Sequence, residues 1–359
     1  MRDVKTLRVL DTGLRRAAEN MALNRALLES HQAGTSPHTL RFLRFEPSAL
    51  LGFHQDVEQE LRTDYCAEQG IDIQRRITGG GAIYFDQTQI GWELYLDKAF
   101  LGTADMGAIA RRICEAAAEG ISALGVDARY RPRNDIEVDG RKVSGTGGAF
   151  DGDSIMYQGT LLIDFDVERM LRVLRIPAEK LSDKAIESAR DRVANLKDLL
   201  GELPSFEAVQ KSLAQSFARA FDVQLEWADA MNGAEEGAFK EALAEIDTPE
   251  WIYQHNRPST DANLREAITR SQGGTMRVGV AVDPTRDQLK QVWITGDFFV
   301  KPQRLVVDLE GAQRNTPIEA REANVKAFFE THSAEMLMLT PEDFTTAIRA
   351  ALERQEAKA

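Results

Sequence analysis

Residues 75–86 read Arg-Arg-Ile-Thr-Gly-Gly-Gly-Ala-Ile-Tyr-Phe-Asp, and this segment rules out more folds than any other in the chain. Gly79, Gly80 and Gly81 are contiguous and run into Ala82-Ile83-Tyr84-Phe85, an apolar stretch that suits a strand. A phosphate-binding P-loop would continue Gly-Lys-Ser/Thr. A dinucleotide fingerprint would space its glycines and open a helix. Neither pattern is present. Consecutive glycines cost backbone entropy and give no side-chain packing, which leaves two readings. One is a plain glycine turn with Arg75 and Arg76 solvated. The other is a stretch of backbone amides approaching an anion, with the two arginines as its charge partners.

The remaining pattern is mixed. A helix is expected over Leu14–Glu29, strands over Leu40–Phe45 and Ala49–Gly52, and a helix over Glu58–Gln69. Ile71–Ile73, Ile83–Phe85, Trp92–Leu96 and Gly159–Phe165 read as strands. Asp105 is a natural N-cap for a helix presenting Met106, Ile109, Ile113, Ala117, Ile121 and Leu124. Ser205–Phe221 is amphipathic, and Thr340-Pro341 starts the last helix. In the tail, Met276–Val282, Gln291–Ile294 and Leu305–Leu309 look like strands. Hairpins and helices do not alternate as in a doubly wound sheet. The expectation is therefore an α+β fold with mostly antiparallel sheet. The acidic, small-residue stretch Glu235–Glu245 suggests a division into residues 1–245 and 246–359.

A second segment carries chemistry. Asp139-Gly140 separates two alternating runs, a strong hairpin signal. It puts Lys142 on the returning strand, with Gly145-Thr146-Gly147-Gly148 expected in the loop after it. A lone strand lysine is ordinarily solvated. Beside a small-residue backbone it can also serve an anionic transition state, such as a carboxylate attacking a phosphate. Asn134-Asp135 opens the same hairpin. Asp135 could pair with Lys142 or help hold a magnesium ion.

Composition narrows the function classes. The chain has 359 residues, a net charge of −13 and 43% hydrophobic residues. It can bury sizeable cores, and its acidity argues against a nucleic-acid surface. Two cysteines, Cys66 and Cys114, and five scattered histidines give neither a disulfide framework nor a recognisable zinc spacing. No stretch has the length and apolarity of a membrane span, so a cytoplasmic protein is expected.

Taken in order, these residues resemble the lipoate–protein ligase family, of the biotin/lipoate ligase fold. Arg76-Ile77-Thr78-Gly79-Gly80-Gly81-Ala82-Ile83 is similar to its glycine signature. Asn134-Asp135 with Gly140-Arg141-Lys142-Val143-Ser144-Gly145-Thr146 resembles its lysine motif. Gly159-Thr160-Leu161-Leu162 resembles its Gly-Thr-Leu-Leu strand, and Ser188 with Arg192-Val193-x-Asn195-Leu196 a later motif. Pro47, Gly52 and Gln55 also fall in family positions. The match is strong over roughly residues 10–225, and looser in the tail, where it is to an accessory domain.

The resemblance implies activation of lipoate or octanoate by ATP to an acyl-adenylate, then transfer to a lysine of an apo lipoyl-domain protein. Such acceptors include a 2-oxoacid dehydrogenase acyltransferase subunit or a glycine cleavage H protein. Lys142 would be catalytic. Arg76, Thr78, Gly79, Gly80, Gly81, Ala82, Ile83, Tyr84, Asn134, Asp135, Lys142, Ser144, Gly145 and Thr146 would bind the nucleotide. Arg76, Gly81, Ile83, Lys142 and Gly159 would meet lipoate, and Asp135 is the candidate magnesium ligand. Phe85 and Gln158 stand where the family has histidines. Rival readings are an octanoyl- or lipoyl-transferase of the same fold and a non-catalytic lipoyl-domain binder. The transferase would need a cysteine downstream of the lysine motif, and none follows Cys114. The biotin-ligase glycine motif is absent.

Overall fold

The computed structural model describes residues 5–132, 134–176, 183–256 and 264–354. The chain forms two compact units that are discontinuous in sequence. One comprises residues 1–49, 62–74 and 84–251, and the other residues 50–61, 75–83 and 252–359. The sequence suggests a single boundary at 245/246; here the glycine segment groups with the tail instead.

The larger unit is built on an eight-stranded sheet. Its strands are β1 (Thr6–Arg15), β2 (Thr39–Phe45), β3 (Gln89–Asp97), β4 (Ala128–Arg131), β5 (Asp135–Val138), β6 (Arg141–Asp151), β7 (Ser154–Leu162) and β8 (Gln224–Ala228). They lie in the order β8-β1-β2-β3-β7-β6-β5-β4. β1 runs parallel to both β8 and β2, and the other five pairings are antiparallel. The mostly antiparallel α+β architecture is as expected.

One face of this sheet is covered by α2 (Met106–Ser122) and α3 (Phe206–Phe221). Ile109, Ile113 and Ile121 follow helical spacing on α2 and share one core with Leu213 and Phe217 of α3 and with Trp92, Leu94 and Phe42 of the sheet. Asp105 caps α2 by accepting from the amides of Gly107 and Ala108, worth about 1 kcal/mol. The opposite face carries α1 (Ala17–Gln32) over a buried polar network. There Arg41 pairs with Glu93 at 2.9 Å, and Glu93 also accepts from Asn24 and from the Tyr95 hydroxyl at 2.7 Å. The rest of the Arg41 fork reaches Thr12 and Asn20. Such a network is tolerated because its groups are mutually bonded. α4 (Gly233–Ile246) backs α1.

The second unit contains a three-stranded antiparallel sheet, β9 (Leu264–Ser271), β10 (Gly274–Asp283) and β11 (Gln288–Gly296). Its core also takes Leu305, Val306 and Leu309 of α5 (Leu305–Gln313), Val325 and Phe328 of α6 (Arg321–Thr331), and Phe344 and Ile348 of α7 (Pro341–Glu353). The segments 50–61 and 75–83 are stitched to it. Gly296 N donates to His54 O at 3.0 Å, Thr295 to Gln59 at 3.0 Å, and Arg277 pairs with Glu60 at 3.2 Å.

Several expected elements differ. Leu14 belongs to β1, not to the first helix. Leu305–Leu309, expected as a strand, is the first part of α5; a short apolar run has no period that separates strand from helix. The expected Glu58–Gln69 helix is two short helices, Val57–Glu60 and Thr63–Glu68. Gly145-Thr146-Gly147-Gly148 is not a loop but the middle of β6. Among the described residues no helix is long and apolar enough to cross a membrane.

Candidate active site

The Asp139-Gly140 turn forms as expected, with φ of 51° and 74°, the left-handed values a two-residue hairpin turn requires. It returns the chain from β5 into β6. Asp135 lies opposite Gly145, and Ile136 opposite Ser144. The register then slips, so that Glu137 faces Lys142 and Val143 is the extra residue of a bulge. This bulge decides where the lysine points. In an unbroken strand, Lys142 and Gly145 would project from opposite faces. Here the Lys142 side chain lies over Gly145, and its Nζ reaches Asp135 Oδ1 at 2.7 Å. A Cβ on Gly145 would stand 2.8 Å from that Nζ and 2.9 Å from Cε, so the glycine makes room for the lysine.

Asp135 is fully engaged. Its second oxygen pairs with Arg131 at 2.6 Å. Burial alone would raise its pKa, but the hydrogen bonds and charges of Lys142 and Arg131 outweigh this and hold it below the ordinary carboxylate value. A carboxylate neutralised by two cations is a poor magnesium ligand. The expected metal role of Asp135 therefore does not fit.

The later motif supports the lysine from its backbone side. Lys142 N donates to Arg192 O, and Ala194 N donates to Lys142 O, both at 2.9 Å, in a parallel bridge with Val193. Asn195 exchanges two hydrogen bonds with Phe165, at 2.8 and 3.2 Å, anchoring this stretch to the chain leaving β7. Sequence reading matched the motif without a role. Its role here is to hold the lysine strand. Ile186, two residues before Ser188, lies outside the residues whose side chains are described.

Strand alternation separates the other expected residues. Ser144 and Thr146 face the α2/α3 core, away from Lys142. Ser144 is buried opposite core residues Ile136 and Leu161. Thr146 donates to Asn134 O and bonds the Tyr157 hydroxyl at 3.2 Å and Cys114 Sγ at 3.4 Å. Asn134 Nδ2 in turn donates to Thr146 O at 3.1 Å. These contacts brace the hairpin. Gly159, expected at lipoate, is covered by Trp92: a Cβ there would be 2.3 Å from the indole. Tyr84 is buried with its hydroxyl on Asp86 at 3.0 Å, and Phe85 packs on Phe45 with ring centroids 4.5 Å apart. Phe85 is thus a core residue.

In the second unit the glycine segment has a different construction. Arg76 is 7% exposed. Its guanidinium donates to the carbonyls of Leu50, Gly79 and Gly81 at 2.9–3.1 Å and to Thr78 Oγ1 at 3.3 Å. Arg75 donates to the carbonyls of Gly52, Phe53, Gln55 and Ile252 at 2.6–3.1 Å. Burial lowers Arg75 to about 9 and Arg76 to about 10, so both stay protonated at neutral pH. The expectation that Arg76 grips a phosphate meets a side chain spent on its own loop. Long-range carbonyl partners are invisible to motif reading.

Two of the three glycines are explained within this unit. A Cβ on Gly79 would be 2.3 Å from Phe298 O. Gly80 has φ of +96°, and its carbonyl would be 1.8 Å from a Cβ on Gly52. Gly81 is exposed, with nothing nearer than 3.9 Å to a Cβ there. Ala82 and Ile83 are half-buried.

Comparison with known proteins bears on this arrangement. A family model, the lipoyl protein ligase A/B catalytic domain, matches residues 16–218 and so includes both the glycine segment and the lysine hairpin. Lipoate-protein ligase A subunit 1 of Thermoplasma acidophilum is 29% identical, over 65% of this chain and 90% of its own length. The octanoyltransferase LipM of Kyrpidia tusciae is 27% identical, over 70% of this chain and 100% of itself. Lipoate–protein ligase 1 of Staphylococcus aureus is 26% identical, over 82% of this chain and 84% of itself. A solved lipoate-protein ligase A bound with ATP superposes with a TM-score of 0.60 at 26% identity, over 70% of this chain and 98% of that one. With the family model spanning more than half its length, the chain belongs to the lipoyl protein ligase A/B catalytic-domain family.

Proposed function

We propose that this protein is an ATP-dependent lipoate–protein ligase acting on lipoate or octanoate and on an apo lipoyl-domain acceptor. The observation that carries the reading is Lys142, an ammonium folded over Gly145 by a bulge and oriented by Asp135 at 2.7 Å. In the first step a carboxylate oxygen of the acyl donor attacks the α-phosphorus of ATP. The bond to the β,γ-diphosphate breaks and pyrophosphate leaves. In the second, an acceptor lysine amine attacks the acyl carbon, AMP leaves, and the amine proton passes to solvent. Both transition states concentrate negative charge, and a preoriented ammonium stabilises them more than it stabilises the reactants. Magnesium enters as the counterion of ATP, since Asp135 is committed elsewhere.

Arg76 acts in this reading through its field and its geometry. It is a buried cation that fixes the carbonyls of the glycine loop, which turns the other pole of those peptides toward an approaching anion. Gly81, whose missing side chain answers no need among the described residues, leaves room for that approach.

The thiols favour the ligase over the transferase. Burial raises Cys66 to about 11, and burial also raises Cys114 despite hydrogen bonds from Thr146 and Tyr157. Neither is a thiolate poised for a thioester. The match to the S. aureus ligase also extends over more of this chain than the match to LipM, whose whole length is used up in 70% of it.

The test is to incubate the protein with ATP, magnesium, lipoate and an apo lipoyl domain and weigh the acceptor. A gain of one lipoyl group that requires ATP is expected. Gain from an acyl-carrier-protein thioester without ATP would replace this reading with the transferase. No gain from either donor would leave the non-catalytic binder.

A further inference from the structure

At the far end of α1, away from the lysine hairpin in sequence, three side chains converge that the acyl-transfer reading does not use. His31 lies in the last turn of α1, His38 just before β2, and Asp97 at the end of β3. One ring nitrogen from each histidine and one Asp97 oxygen lie within 4.8 Å of one another. We propose that His31, His38 and Asp97 form a binding site for a single divalent transition-metal ion of the zinc class, with water completing the coordination.

The hydrogen bonds already present orient these groups as ligands. His31 Nδ1 bonds Ser154 Oγ at 2.8 Å, which fixes the ring and directs Nε2 toward His38 Nδ1 at 3.0 Å. A partner on the far nitrogen is the usual support of a metal-bound imidazole. Asp97 divides its oxygens. Oδ1 accepts from the amide of Phe100 at 2.6 Å, capping a short helix. Oδ2 faces His38 Nε2 at 3.8 Å, beyond hydrogen-bond range. His38 thus stands between the other two, with Nδ1 toward His31 and Nε2 toward Asp97, and an ion shared by all three takes one of these nitrogens as the ring turns.

Ligand atoms held at about 2.0–2.1 Å around a tetrahedral ion stand roughly 3.3 Å apart. The present spacings need side-chain adjustments on the order of an ångström. Two imidazoles and one carboxylate suit zinc, cobalt or nickel rather than magnesium or calcium. His31 is buried, while the side chains of His38 and Asp97 are 27% and 35% exposed, which gives an ion a way in. The C-terminal end of α1, sixteen residues long, favours a cation there. Lys5 is the opposing charge. Its Nζ sits 5.2 Å over the Phe100 ring, which itself packs on His38 in a tilted pair with centroids 4.3 Å apart.

The test is cobalt(II) and zinc(II) titration of the full chain without a histidine tag, followed by visible absorption and calorimetry. One ion per chain is expected, with the intense cobalt bands of a four-coordinate site. His38→Gln and Asp97→Asn should each weaken binding by roughly tenfold or more. The asparagine retains the capping oxygen, so its effect reports the lost charge rather than a lost helix. Circular dichroism on both variants confirms the fold. Cobalt absorption no different from the free ion, binding only at millimolar metal, or unchanged affinity in both folded variants would each overturn the site.

Discussion

Lys142 and Arg76 are both cations from family-like motifs, and they are built in opposite ways. The Lys142 side chain is 39% exposed, is held by one carboxylate, and lies in a space that a glycine and a bulge leave for it. Arg76 is buried, bonds carbonyl oxygens of its own loop and of Leu50, and among the described residues has no carboxylate partner. The first construction presents a charge; the second consumes a charge to hold backbone in place. Two motifs that look equally functional in one dimension thus divide into an accessible charge and a brace.

That division can be broken most sharply at the lysine. Lys142→Ala should lower acceptor lipoylation by 10³-fold or so, read by single-turnover mass spectrometry. The melting temperature should hardly move, because half-exposed pairs contribute about 0–1 kcal/mol and Asp135 keeps Arg131. A variant with near-normal activity would remove Lys142 from the chemistry.

Arg76→Ala should do the reverse. Three carbonyls lose their donor, at about 1–3 kcal/mol for each one left unsatisfied, partly offset by no longer burying the cation. A net loss of roughly 2–4 kcal/mol is expected in denaturant melts, with faster amide exchange over residues 50–61 and 75–83. Arg76→Lys should fail similarly, since an ammonium cannot span the fork. Full stability with lost activity would instead make Arg76 a direct phosphate ligand.

The glycines give a finer contrast. Gly79→Ala forces a methyl to 2.3 Å from the Phe298 carbonyl and should cost about 1–3 kcal/mol in stability. Gly145→Ala presses closely on the movable end of Lys142 and reaches Thr160 Oγ1 no nearer than 4.0 Å. It should leave stability within about 1 kcal/mol while displacing the ammonium and lowering activity about tenfold. If both variants had the same phenotype, the contrast between loop and hairpin would fail.

A last contrast concerns pH. His54 and His255 lie 5.6 Å apart between ring centroids, with His54 Nδ1 and His255 Nε2 lacking hydrogen-bond partners among the described residues. Burial, and then the nearby Arg75 charge, push both down to about 3. An unfolded histidine titrates near 6.5. Below that pH the unfolded state takes up protons that the folded state refuses, so stability is present above about 6.5 and is lost progressively as pH falls toward 3. Between pH 7 and 5.5 the pair should cost about 2 kcal/mol, and His255→Gln should flatten the slope. Asp135, shifted down rather than up, responds only at lower pH.

The contrast also marks what could be read from the chain alone. Asp139-Gly140, the Asp105 cap and the facing residues of α2 were legible because turn chemistry, capping and helical period are local. The bulge at Val143 and the burial of Ser144 and Thr146 were not, since strand register depends on the partner strand. One partner of Arg76 lies in a separate segment, at Leu50, and the neighbour of Gly79 is Phe298, 219 positions on. Glycine runs announce close approach but not what approaches. The helix at Leu305–Gln313 was hidden for a related reason, because a short apolar run fits either period until tertiary packing decides.

The most direct test of the account is lipoate-dependent exchange of labelled pyrophosphate into ATP, measured without any acceptor protein. The account predicts exchange that requires lipoate or octanoate, survives Gln substitution at His38, and disappears in Lys142→Ala. A protein that lipoylates its acceptor but shows no such exchange, or exchanges equally well without Lys142, would contradict it.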